Sequence, residues 1–163
     1  GYNKRSRTMT VNVPAGINDG QVLTLKNEGN SSLNGGANGN LNIIVQVSKH
    51  ELLNRKDYDL YITVPVPYLT LLLGGTIKVP AVNEIIELKI PELTQTGTVF
   101  KVKGKGVKYL RRETYGDLFV TVTTEFPKTL DKKAKEMLTE IKENSDANYS
   151  KYKDYVSKLN KLS

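Results

Sequence analysis

The side chains that most readily do chemistry are few in this chain. His50 is the sole histidine, and Asp57 and Asp59 follow it as carboxylates that could orient its ring. Such a dyad needs an activated nucleophile, and no serine stands in a nucleophile-elbow context, so the residues favour a packing or turn role for His50. Cysteine is absent, which removes thiolate nucleophiles, disulfides and Cys-ligated zinc together. The glycine-rich SSLNGGANGN from Ser31 lacks the lysine and the following helix of a phosphate cradle and reads as a hairpin loop. The KGKG run from Lys103, with Arg111 and Arg112 close behind, would attract acidic segments or simply carry solvated turn charge. The chemistry expected is binding, not catalysis.

Composition narrows the kind of binding. Of 163 residues, 38% are hydrophobic, enough for a packed core, and Trp is absent, so that core must come mainly from Val, Ile and Leu. Those residues favour strands. No apolar run is long enough to span a bilayer and no secretory leader opens the chain, so the expected compartment is cytoplasmic. The abrupt polar start at Gly1 reads as an excised piece. A net charge of +7 fits nucleic-acid binding, which stays open as the alternative reading. Against it, Lys and Glu intersperse through the second half, and basic stripes interleaved with aromatics are missing.

The chain is organised by an internal repeat. VNVPAGINDGQVLTLKNEG from Val11 aligns without gaps on LKIPELTQTGTVFKVKGKG from Leu88, at a constant offset of 77 residues, as from Pro14 to Pro91. The same offset carries GNLNIIVQV from Gly39 onto GDLFVTVTT from Gly116. Each copy alternates apolar and polar residues in three runs, separated by a Pro-to-Gly turn and a glycine-rich loop. The pattern predicts strand, turn, strand, loop, strand: Val11 and Val13, then Val22 to Leu25, then Leu41 to Val47, with Leu88 and Ile90, Val99 to Val102 and Leu118 to Val122 as counterparts.

Between the copies, Leu60, Ile62, Val64 and Val66 predict another strand, TLLLGG from Thr70 a short helical turn, and Ile77 with Val79 a return to extended chain. This segment belongs to the second copy, and its first-copy equivalent falls before Gly1. After Pro127 the period changes to that of helices. Leu130, Ala134, Met137, Leu138 and Ile141 line one face behind an N-cap at Thr129 or Asp131, and Tyr149, Tyr152, Val156 and Leu159 line a second. These stripes would dock on the second module or pair with another chain.

In combination these motifs resemble the C-terminal, client-binding region of DnaJ-type co-chaperones of the zinc-containing type. The residues that carry the resemblance are VNVPAG from Val11, GDL from Gly116, His50 with Arg55 and then DL from Asp59, LGG from Leu73, and KGKG from Lys103. They cover about residues 1 to 142. Asn40 for Asp in the first Gly-Asp-Leu, Leu53 for Phe and Leu93 for Gly depart from the pattern, in loops and packing.

The resemblance implies a mainly β fold of two small sandwich- or barrel-like modules, at 1–55 and 56–127, with a helical tail at 128–163. It also implies a function. Unfolded polypeptide would pair with an open sheet edge, its side chains seated on Met9, Val11, Ile43 and Val45, and would pass to a DnaK-type chaperone. A secondary peptide site would lie at Ile86 and Val120. Leu138, Ile141, Tyr152, Val156 and Leu159 would join two copies as a homodimer. Zinc belongs, in such proteins, to a Cys-rich insertion that this sequence lacks, so no cofactor is expected here.

Overall fold

The computed structural model describes residues 8–30, 36–145 and 149–163. The chain divides into two compact units, Gly1–Phe126 and Pro127–Ser163. In the first, strands β1 (Val22–Leu25) and β2 (Leu41–Ile44) form one two-stranded sheet. Strands β3 (Asn54–Lys56), β4 (Asp59–Pro67), β7 (Val99–Val102) and β8 (Leu118–Glu125) form an open four-stranded sheet in the order β3-β4-β8-β7. A short helix α1 (Tyr68–Leu73) leads into a hairpin of β5 (Gly75–Ala81) and β6 (Glu84–Ile90). None of these sheets closes on itself, so the fold is layered and not a barrel.

The repeat is written into the backbone. Val22 lies opposite Ile44 and Leu25 opposite Leu41 in the β1–β2 pair, while Val99 lies opposite Thr121 and Val102 opposite Leu118 in the β7–β8 pair. All eight positions obey the offset seen in the sequence. The flanking bonds obey it too: the Gly20 amide donates to the Val45 carbonyl at 2.8 Å as that of Gly97 does to Val122 at 2.7 Å. The Gly29 amide donates to the Gly39 carbonyl at 2.7 Å, and that of Gly106 to Gly116 at 2.8 Å. Even a side-chain contact recurs, with Asp19 Oδ1 accepting from the Val47 amide and Thr96 Oγ1 accepting from that of Thr124.

The core belongs to the second copy. β8 runs parallel to β4 and antiparallel to β7, so both of its edges are hydrogen-bonded, and its alternate residues Leu118, Val120 and Val122 are completely buried. Leu60, Ile62 and Val66 of β4, Val79 and Ile90 of the hairpin, and Leu71 of α1 join them in one cluster. Burying an aliphatic side chain of this size is worth roughly 1.5–3 kcal/mol. The helical turn expected at TLLLGG is α1, which stops where Gly74 takes a φ of 83° that a side chain would resist.

The first copy departs from the expectation at its beginning. Val11 and Val13 were read as a strand, yet they lie in none. Their counterparts Leu88 and Ile90 are extended because β6 pairs with β5, and the positions equivalent to β5 fall before residue 1 or within the first residues, outside those described. A strand without a partner has no place for its backbone hydrogen bonds. For the same reason β2 spans four residues where β8 spans eight. β3 was not anticipated, because Asn54, Arg55 and Lys56 carry no apolar alternation, and it lies across the expected module boundary at residues 55 and 56.

The second unit contains helices α2 (Lys132–Asn144) and α3 (Ser150–Asn160). Of the two candidate N-caps for α2, Asp131 is the one used, its carboxylate accepting from the Ala134 amide at 2.7 Å. Ala134, Leu138 and Val156 are half-buried, while Met137, Ile141, Tyr152 and Leu159 are exposed. No helix among the described residues is long and apolar enough to cross a membrane.

Equivalent positions should differ sharply in energetic weight. Ile90 is 1% exposed and Val13, its repeat partner, 55%. Ile90→Ala is expected to cost about 2–5 kcal/mol and Val13→Ala less than about 1 kcal/mol, measured by urea denaturation.

Candidate peptide-binding site

The four residues expected to hold a client lie on two segments of the first copy. Leu41, Ile43 and Val45 are half-buried and alternate with exposed Asn42 and Ile44, as the pleat of a strand dictates. Met9 and Val11 are also half-buried. Their counterparts at the repeat offset are Ile86, Leu88, Val120 and Val122, which either belong to the second copy's core or pack against it. Met9, Val11, Ile43 and Val45 therefore occupy the core-forming positions of a module whose remaining layers are not among the described residues.

The backbone is unfinished in the same way. No strand of the described residues pairs with the β2 edge that faces away from β1, whereas the matching edge of β8 carries β4. Exposed Val13, Val22 and Ile44, the last at 67%, add apolar surface to this copy. Sequence alternation alone could not identify these three, because the same pattern serves a covered and an uncovered sheet.

The expected secondary site needs correction. Val120 is fully buried between two bonded strands, and Ile86 packs against the core, so Val120 serves cohesion and has no surface to offer a ligand. Val120 is buried in the cluster that Val79, Ala81 and Ile90 of the hairpin and Leu71 of α1 complete.

His50 and Arg55 act on the junction between the copies. His50 Nδ1 accepts from the amides of Leu52 and Leu53, each at 3.0 Å, and so caps a turn. Its proposed partner Asp59 is engaged elsewhere, Oδ1 accepting from the Asp117 amide at 2.7 Å. Arg55 reaches back to the first copy, donating to the carbonyls of Ile17 at 2.8 Å and Gly16 at 2.6 Å, with its guanidinium 5.7 Å from the Tyr58 ring centroid. Gly16 lies so close to the Lys108 carbonyl that a Cβ there would sit 1.8 Å from its oxygen. Sequence reading found Arg55 only as part of a motif, since its partners are backbone atoms nearly forty residues away.

The Gly-Asp-Leu motif has a comparable local logic. A Cβ on Gly116 would meet the Tyr58 carbonyl oxygen at 1.9 Å, so only glycine fits where these strands converge. The next residue, Asp117, accepts from the Gly104 amide at 2.9 Å and pairs with Lys101 at 3.5 Å. The Gly104 amide, with help from Lys101 and against partial desolvation, holds the Asp117 carboxyl below the ordinary aspartate range. For zinc the donor chemistry is lacking: there is no cysteine, and no cluster of three or more His, Asp or Glu among the described residues could hold an ion.

Two outcomes are expected of these contacts. Arg55→Lys, which loses the fork that grips two carbonyls, should lower stability by about 1–3 kcal/mol in urea denaturation. Because the folded pKa of Asp117 lies below its unfolded value, its contribution is present above the unfolded value and lost as pH falls through the folded one. The gap in urea midpoint between wild type and Asp117→Asn should therefore be widest near neutral pH and close in acid.

Comparison with known proteins places this geometry. The family model described as the DnaJ C terminal domain matches residues 2–127. Chaperone protein DnaJ of Caldicellulosiruptor saccharolyticus is 40% identical over 157 residues, covering 96% of this chain and 41% of that protein. The protein of the same name from Fusobacterium nucleatum subsp. nucleatum is 40% identical over 153 residues, covering 93% and 39%. That of Listeria monocytogenes is 43% identical over 137 residues, covering 84% and 36%. The likeness thus extends beyond residue 142, where the motifs stop, and into the tail. The chain spans about two fifths of the length of these relatives. With matching repeat, junction and family model in agreement, the chain belongs to the DnaJ C-terminal domain family.

Proposed function

We propose that this chain is the polypeptide-binding part of a DnaJ-type co-chaperone, which holds non-native chains by strand addition and shallow apolar contacts for delivery to a DnaK-type partner. The observation that supports this reading is that, among the described residues, β2 is paired on one edge only and lies in the same copy as half-buried Met9, Val11, Ile43 and Val45. An extended peptide has the donors and acceptors to pair with such an edge whatever its sequence. Selectivity for unfolded chains then comes from apolar side chains that reach the unfilled positions, with Met9 contributing an adaptable thioether. Exposed apolar surface of this kind marks interaction sites in soluble proteins.

The tail supplies the second element. The apolar stripe of Leu138, Ile141, Tyr152, Val156 and Leu159, half-buried or exposed throughout, would join two copies as a homodimer and give a client two arms to grip. The cytoplasm, where DnaK-type chaperones meet unfolded chains, is the compartment this reading requires.

Binding of a labelled unfolded peptide and of a random oligonucleotide, followed by fluorescence anisotropy across a salt series, tests the proposal. Peptide affinity should persist or strengthen with salt, whereas polyanion binding falls steeply. Ile43→Asp and Met9→Asp should each weaken the peptide by roughly tenfold or more. Binding of the oligonucleotide alone would overturn the reading.

A further inference from the structure

The motifs at the junction leave one feature unused. A groove of about 480 Å³ runs between the first copy's turn at Ala15 and Gly16, the β5–β6 turn at Val82 to Glu84, and the KGKG loop. Its shape is set by backbone, because Gly16 presses against the Lys108 carbonyl and Gly106 is buried among the Gly116 and Tyr58 main chains. The walls are of two kinds. Val82, 52% exposed, and Tyr115, 50% exposed, offer apolar surface, while Lys105 and Lys108 bring cations to the same space.

Charge identifies the occupant. Lys105 is paired with Glu84 at 2.7 Å, and Lys108 lies 3.9 Å from Glu113, which is 92% exposed. Surface pairs of this sort contribute little and exchange readily for a better-placed anion. Of the neighbouring cations, Lys101 is paired with Asp117 at 3.5 Å, which leaves Lys105 and Lys108 as the groove's own positive charge. A ligand for this groove needs carboxylates to meet the lysines and an apolar side chain to lie against Val82 and Tyr115. Glu84, on the groove wall, disfavours the dense charge of a phosphate backbone, and no second exposed ring beside Tyr115 lines the groove to stack successive bases.

We infer that the groove between the two copies is a docking site for an acidic peptide segment that carries an apolar residue, separate from the first-copy edge. The inference rests on the groove's own lining and charge and does not depend on the client-binding reading. Such a contact would let a partner's acidic segment bind while the β2 edge stays available.

The test uses the whole chain and a short labelled peptide in which aspartates flank a central Leu-Phe pair, beside the same peptide with lysines in place of the aspartates. The aspartate peptide should bind, weaken as salt is raised, and lose about tenfold in affinity on Lys105→Glu with Lys108→Glu. The lysine peptide should bind that double variant better than it binds wild type. The neutral pair Lys105→Gln with Lys108→Gln, checked for an unchanged melting transition, should show an intermediate loss. A neutral apolar peptide should bind all three proteins alike if it uses the β2 edge, and its failure to bind any would sink the client reading alone. Equal affinity of the aspartate peptide for wild type and both variants would overturn the groove assignment. So would a random oligonucleotide that binds at these lysines while the aspartate peptide does not.

Discussion

Everything in the larger unit depends on whether a strand finds a partner on each side. β8 has two, β4 in parallel and β7 antiparallel, and its inner side chains are among the most deeply buried of the described residues. β2 has the same sequence pattern and the same register toward its hairpin partner, but among the described residues only one neighbour. The difference propagates outward, since β2 is half as long, its inner residues are half-buried, and the segment that should lie over them stays irregular.

The two copies hold together through main-chain contacts at their junction. Arg55 grips consecutive carbonyls of the first copy, Gly16 admits the Lys108 backbone, and His50 caps the turn that brings Leu53 into the core. None of these interactions needs a particular partner side chain. The motif residues His50, Arg55 and Asp59 thus form a structural set, in which each ionisable group is committed to a backbone atom.

The proposed function rests on the capacity of a strand edge to accept a foreign strand. Strand β8 is hydrogen-bonded on both edges, whereas among the described residues β2 is paired with β1 alone. Pairing with an unfolded polypeptide uses backbone donors and acceptors and apolar contact, and so needs no specialised chemistry.

By itself, the sequence determined the repeat, the strand and helix periods, and the family. These are local or self-referential properties: an offset of 77 residues maps hydrogen bond onto hydrogen bond because identical spacing gives identical turns. Tertiary structure decided what alternation cannot express, namely which face is covered. Val120 and Ile43 are interchangeable as letters in a pattern, yet one is sealed between β4 and β7 and the other is half-open. It also decided the polar strand β3 and the reach of Arg55 to backbone atoms of the other copy, because main-chain partners leave no trace in residue types. Burial depends on what else is packed alongside, and a linear pattern of residues does not contain its neighbours in space.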